Sequence, residues 1–190
     1  MSIVLASASP RRRELLTMLG LKSFKIIPAV GEEILLPGAQ PGEAVSALSL
    51  CKAEEVSKLC PLTDLIIAAD TIVSLDGKIL GKPADGDDAF RMLSRLSGRE
   101  HRVYTGVTVM RGDTVITEYE RTSVRFRSLS EREIIAYIKT GEPMDKAGAY
   151  GAQGIGALFV EGIDGDFFNV MGLPLCRLSK MLEKMGVNLI

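Results

Sequence analysis

The sequence predicts a mixed α/β fold with α+β character, in which helices pack on a central sheet. Three observations predict it. Short apolar runs suited to strands recur at Ile3 to Ala6, Leu65 to Ala69 and Ala157 to Val160, and segments with apolar residues at helical spacing fall between them. A long Val-, Thr- and Tyr-rich pair of stretches, His101 to Met110 and Thr114 to Phe126, flanks Arg111-Gly112-Asp113, the composition of a hairpin. With 190 residues, 46% of them hydrophobic, and no linker, repeat or low-complexity tract, the chain is expected to close one domain over residues 1–190.

Taken in order, Ile3 to Ala6 reads as a strand that enters Ser7-Ala8-Ser9-Pro10, after which Leu15, Leu16 and Leu19 mark a helix closed by Gly20. Phe24 to Val30 reads as a second strand. Gly31 to Gly42 reads as a loop carrying Glu32 and Glu33, and Ala44, Leu48, Cys51 and Val56 give helical spacing to Pro41 to Cys60. Leu65 to Ala69 is a buried strand that reaches Asp70-Thr71 and continues through Ile72, Val73 and Leu75 to a turn at Asp76-Gly77. Ala89, Met92, Leu93 and Leu96 define a helix over Asp87 to Leu96, and Ser130 with Glu133 forms a capping-box pattern before Ile134, Ile135 and Ile138. Small residues fill Gly148 to Gly156. Ala157 to Val160 and Phe167 to Val170 read as strands joined through Asp164-Gly165, and a last helix begins near Pro174.

The balance of 23 basic and 24 acidic side chains, a formal net charge of −1, argues against a nucleic-acid coat or a membrane-surface protein, so any anion site is local. Cys51, Cys60 and Cys176 lack paired ligand spacing, support neither a disulfide framework nor a zinc site, and read as reduced, buried thiols. Neither a signal-peptide pattern nor an apolar stretch of membrane-spanning length is present, which places the expected protein in the cytoplasm.

Chemistry concentrates at few positions. Ser9 suits an N-cap and Pro10 the first helical position, so Arg11, Arg12 and Arg13 fall in a first turn whose free N–H groups already favour an anion. Cations there weaken the helix unless something negative sits among them, and guanidinium forks match phosphate oxygens; a solvated basic face is the alternative. Asp70 follows an apolar run and needs a partner, either a metal ion or a structural hydrogen bond, with Thr71 beside it as an orienting hydroxyl or a plain strand residue. Lys52, Lys82 and Lys146 are each typical surface lysines when taken alone, and together they suggest a polyphosphate site. His101, the one histidine, has no Gly-x-Ser-x-Gly partner, and neither a P-loop nor a dinucleotide glycine fingerprint occurs.

The string Ala6-Ser7-Ala8-Ser9-Pro10-Arg11-Arg12-Arg13-Glu14-Leu15-Leu16 closely resembles the opening motif of the Maf family of nucleotide pyrophosphatases. Ala69 to Val73, Gly81-Lys82-Pro83, Glu142 to Gly154 and Asn169 to Leu175 resemble further family blocks, in family order and across nearly the whole chain. The resemblance implies an elongated two-lobed fold related to the inosine triphosphate pyrophosphatases, with a cleft between lobes for a nucleoside triphosphate. It implies that Asp70 is the catalytic proton acceptor, that Arg11, Thr71 and Gln153 govern substrate choice, and that Ser9, Arg12, Lys52, Lys82 and Lys146 meet phosphates. Glu33 matches a metal-associated carboxylate that would share Mg²⁺ or Mn²⁺ with Asp70, with neighbouring Glu32 as the other candidate. A homodimer is implied too.

The Asp145-Lys146-Ala147-Gly148-Ala149-Tyr150-Gly151 block resembles the branch acting on dTTP and UTP, although Ala152 stands where relatives commonly carry isoleucine. The expected reaction is hydrolysis of dTTP and UTP to monophosphate and pyrophosphate. Three rivals remain open at this point: 7-methyl-GTP as substrate, a broad house-cleaning activity on modified pyrimidine nucleotides, and a nucleotide-binding regulator of septum formation without turnover.

Overall fold

The computed structural model describes residues 2–21, 23–31 and 38–189. Its centre is a seven-stranded sheet of β1 (Ile3–Leu5), β2 (Lys25–Ile26), β3 (Leu65–Leu75), β4 (Lys78–Leu80), β5 (Glu100–Arg111), β6 (Thr114–Phe126) and β7 (Val160–Asp164). Around it lie α1 (Pro10–Met18), α2 (Pro41–Ser57), α3 (Gly86–Leu96), α4 (Glu131–Ile138), α5 (Phe167–Met171) and α6 (Leu175–Lys184), with 3-10 turns at Glu142–Asp145, Ala147–Ala149 and Ile155–Phe159. The strand order is β2-β1-β3-β5-β6-β7, with β4 against β3; β1 is parallel to its neighbours and every other pair is antiparallel. The expected mixed α/β class is therefore the observed one.

The unbroken apolar run of β3 exists because both of its faces are covered. Leu65, Ile67 and Ala69 pack with Leu15 and Leu16 of α1 and Leu178, Met181 and Leu182 of α6. Ile66 and Ala68 point the other way, into a cluster with Ala53 and Val56 of α2. Strand alternation thus sends consecutive residues of β3 to different helices. On one edge β5 follows β3 from Ile66 to Ser74. On the other, β1 pairs with Leu65 to Ile67 and β4 with Val73 to Leu75, so among the described residues Ala68 to Ile72 have no strand neighbour there. Asp70 lies in that gap.

Several sequence expectations hold at the level of single groups. Ser9 caps α1, and Ser130 and Glu133 form the full reciprocal capping box of α4. Others need correction. The strand expected over Phe24 to Val30 is only Lys25–Ile26, both exposed at the sheet edge: Ile27 still donates to the Leu5 carbonyl at 3.1 Å, but Pro28 has no N–H to continue the ladder. Helix α2 stops at Ser57, not Cys60. The strand expected over Phe167 to Val170 is α5, because the Asp166 carboxylate accepts the Phe168 N–H at 2.7 Å and starts a helix that Gly172 ends with φ 106°. The strand expected from Ala157 begins only at Val160, behind a 3-10 turn. The cysteines are free thiols as expected but not buried: Cys51 and Cys176 are exposed and Cys60 is partly so.

Helix α2 lies unusually close to the sheet at Gly106 of β5. A Cβ at this position would stand 2.1 Å from the Val45 carbonyl oxygen and 2.4 Å from its carbon, and backbone cannot step aside. Gly106→Ala is expected to lower unfolding free energy by at least about 2 kcal/mol in denaturant titration, the cost of overpacking against main chain.

His101 is 2% exposed, with Nε2 and the Tyr150 hydroxyl 2.7 Å apart and its ring edge-on to Phe126 and Tyr150. Burial lowers its pKa from 6.5 to about 4. A folded pKa below the unfolded one means that this contribution is complete above pH 6.5 and is lost as pH falls toward 4. Melting temperature should drop across that window, and His101→Gln, which keeps polar groups without the titration, should drop less.

Candidate active site

The gap in β3 opens onto a cavity of about 670 Å³, walled by Ser7 to Arg12, Lys52, Asp70, Thr71, Lys82, Asp145, Lys146 and Gly172 among others. Because β1 ends at Leu5 and the chain turns into α1 by Pro10, the helix N-terminus stands over the stretch of β3 that β1 leaves uncovered. Strand alternation then sorts the chemistry. Asp70 continues the Ile66 and Ala68 face, toward α2, and pairs there with Lys52 Nζ. Both side chains are mostly buried, and the pair gives Asp70 a compensating charge that it needs so far inside a sheet.

Thr71 continues the opposite face, toward α1 and α5. Arg12, 9% exposed, donates through Nη2 to Thr71 Oγ1 at 3.0 Å, through Nη1 to Ser7 Oγ at 3.1 Å and through Nε to the Gly172 carbonyl at 2.8 Å. The hydroxyl directions are forced beyond it. Thr105 Oγ1 donates to the Asn169 carbonyl at 3.0 Å, so in its 2.9 Å contact with Thr71 it accepts, and Thr71 is the donor. The relay therefore runs Arg12 to Thr71 to Thr105 to Asn169, and Thr105 and Asn169 are fully buried. Asn169 in turn donates through Nδ2 to the Val103 carbonyl at 3.1 Å and to Thr122 Oγ1 at 3.0 Å, which fastens α5 to β5 and β6.

The third wall is the segment after α4. Lys146 Nζ donates to the Glu142 carbonyl at 2.9 Å and to Asp145 at 2.6 Å. The Glu142 carboxylate accepts the Tyr137 hydroxyl at 2.8 Å, Ile155 N–H at 2.9 Å and Gly156 N–H at 3.1 Å. Burial opposes ionisation of Glu142, but these donors outweigh it and hold its pKa below the ordinary value. Burial first, and then the bond to Glu142, raises that of Tyr137.

The structure thus brings together Ser9, Arg11, Arg12, Lys52, Asp70, Thr71, Lys82 and Lys146 on one cavity. Gln153 is not among the lining residues; it is exposed, and its Nε2 donates to Glu14 Oε2 at 3.1 Å. Glu33 and Glu32 lie outside the described residues. Among the described residues no group of three His, Cys, Asp or Glu side chains forms a metal cage. Ser7, Thr105, Asn169 and Gly172 support the site without having been singled out for a role. Only their blocks carried a signal for Ser7, Asn169 and Gly172, and Thr105 had none, being one of many threonines in a strand.

A carboxylate at the floor of a cation-walled cavity, set where a mixed sheet loses an edge partner, defines an α/β protein with a basic cavity built over a buried acidic group. A family model described as Maf-like protein matches residues 2–185, and the chain belongs to that family. It is 52% identical over 188 residues to a dTTP/UTP pyrophosphatase of Syntrophomonas wolfei, covering 98% of each chain. A dTTP/UTP pyrophosphatase of Moorella thermoacetica is also 52% identical, over 190 residues covering 98% of this chain and 96% of that one. The fold is similar to the solved structure of a HAM1 protein from Coxiella burnetii, with TM-score 0.52 and 16% identity over 97% of this chain and 99% of that one.

Thr105→Val keeps shape but removes the hydroxyl, taking one of two donors from the Asn169 carbonyl, which still receives the Gly172 N–H at 2.9 Å, and leaving Thr71 without its acceptor. It should cost about 1–3 kcal/mol of stability in denaturant titration and weaken binding of inorganic pyrophosphate in calorimetry, while Thr105→Ser restores both.

Proposed function

We propose that the chain is a nucleoside triphosphate pyrophosphatase that hydrolyses dTTP and UTP to the monophosphate and pyrophosphate. The single observation that carries this reading is the Asp70 carboxylate on the cavity floor, 7% exposed, with Arg11, Arg12, Lys82 and Lys146 on the same walls. The names of the relatives at about half identity support the substrate choice.

Asp70 is the residue that orients the attacking water and takes its proton. The water oxygen bonds to the α-phosphorus, the bond from that phosphorus to the bridging oxygen breaks, and pyrophosphate departs with the electron pair. Arg11, Arg12, Lys82 and Lys146 offset the charge that gathers on the departing oxygens. Thr71 acts through Arg12, since its hydroxyl is committed to the relay toward Thr105.

The donor chemistry of the lining fits a hard cation. It offers the carboxylates of Asp70 and Asp145 and neither histidine nor cysteine, which suits Mg²⁺ or Mn²⁺ completed by phosphate oxygens and water. Asp70 would hold the ion, with Glu33 as the proposed second carboxylate, and the bound ion supplies Lewis-acid charge at the phosphoryl oxygens. We propose a homodimer in the cytoplasm, in keeping with the three free thiols; among the described residues no helix is long and apolar enough to cross a membrane.

Release of pyrophosphate from dTTP, UTP, CTP, GTP and 7-methyl-GTP, with Mg²⁺ or Mn²⁺, tests the reading. The expected outcome is turnover of dTTP and UTP that falls at least about 100-fold in Asp70→Asn, the contribution of a positioned general base. Full activity in that variant would remove Asp70 from its role, and nucleotide binding without turnover would favour a regulator.

A further inference from the structure

Glu14 belongs to the opening arginine motif, yet neither the cavity nor the reaction derived above uses it. Three residues after Arg11, it sits on the face of α1 that Arg11 shares with the cavity. Its carboxylate accepts a hydrogen bond from Gln153 Nε2 at 3.1 Å, across 139 residues of sequence. An ionised carboxylate can only accept, so the Gln153 atom facing it has to be the NH₂ group, and the amide carbonyl is turned away from Glu14. An amide flipped the other way would set its oxygen against a carboxylate oxygen, lone pair to lone pair.

The backbone on either side of Gln153 is fixed as well. Gly151 N–H donates to the Tyr137 hydroxyl at 3.2 Å, and Ile155 and Gly156 donate to the Glu142 carboxylate at 2.9 and 3.1 Å. The loop also lies against the cavity wall, because a Cβ on Gly151 would stand 3.3 Å from Arg11 Nη1 and 2.9 Å from the Lys146 side chain. Gln153 therefore sits between main-chain positions anchored by Tyr137 and Glu142, with its amide held by Glu14, beside residues that line the cavity.

We propose that Glu14 is a positioning residue for substrate choice: by fixing the sense of the Gln153 amide, it makes the rim of the cavity accept uracil and thymine and reject cytosine. The inference rests on the pyrophosphatase reading and adds the means of base discrimination. Uracil and thymine present a donor at N3–H between two carbonyl acceptors. A Gln153 carbonyl held away from Glu14 accepts that N3–H, and the second Nε2 hydrogen donates to a neighbouring base carbonyl. Cytosine presents an unprotonated N3 and an N4 amino group, the reverse pattern, so it meets the fixed amide acceptor to acceptor and donor to donor. A flipped amide would suit cytosine, and Glu14 opposes that flip.

The test compares wild type, Glu14→Gln and Gln153→Ala on UTP and CTP under one metal condition, reading kcat/KM for turnover and, in parallel, affinity for both nucleotides by calorimetry without metal. Glu14→Gln offers Gln153 either a donor or an acceptor and so frees both amide senses. The UTP-to-CTP preference should fall at least about tenfold, the scale of one hydrogen bond made or mispaired, with melting temperature unchanged because both groups are exposed. Adding Glu14→Gln to Gln153→Ala should change the preference no further, since the amide is then absent. An unchanged preference in Glu14→Gln, or an equal loss in the Gln153→Ala background, would overturn the proposal. Should the wild type turn over neither nucleotide, the pyrophosphatase reading fails, while the affinity ratio still decides whether Glu14 sets the choice of base.

Discussion

A carboxylate in the middle of a sheet covered on both faces is the constraint on which the rest of this molecule turns. Water cannot solvate Asp70 from above or below, because Ile66, Ala68 and their neighbours are packed under α2 and the alternate residues under α1 and α6. The carboxylate finds partners from two directions instead: Lys52 reaches down from α2, and the sheet is interrupted on one edge so that the carboxylate looks into a cavity. Both conditions depend on backbone geometry. Lys52 reaches Asp70 from a helix that Gly106 allows to lie against β5, and the edge is open because β1 is only three residues long while β3 has eleven.

The arginines of α1 illustrate how a local conflict is settled at long range. Positive charge at a helix N-terminus opposes the helix dipole, which from sequence pointed to a bound anion or a solvated face. For Arg12 the structure supplies another answer. Its guanidinium turns from its own helix to the Gly172 carbonyl at the C-terminal end of α5, where the dipole has the favourable sign, and to two hydroxyls. The residue is already oriented before any ligand arrives, so less ordering entropy remains to be lost on binding.

What could be read from the chain follows the range of the interactions involved. Caps act within four residues, so Ser9 and the Ser130–Glu133 box were legible, and the apolar run before Asp70 announced a buried strand that needed a partner. Aromatic and β-branched content at Phe167 to Val170 suggested a strand, but one cap, Asp166, outweighed propensity over so short a segment. Cys51 and Cys176 fall on exposed faces of helices whose apolar stripes are set by their neighbours, a matter of phase that a small apolar residue does not reveal. Thr105 and the pairing of Gln153 with Glu14 lay beyond pattern altogether, since a hydroxyl in a strand and a glutamate in a helix acquire their partners only when segments far apart in sequence meet.

The bond from Arg12 to Gly172 spans 160 residues. During synthesis the arginine is made 160 residues ahead of the carbonyl that orients it, which follows the strands that fasten α5. A nascent or truncated chain lacking Gly172 therefore carries all the basic residues of the opening motif without the geometry that gives them a common target. Competence of the cavity is in this sense a checkpoint on completed folding: a half-made copy holds the charges but not their arrangement.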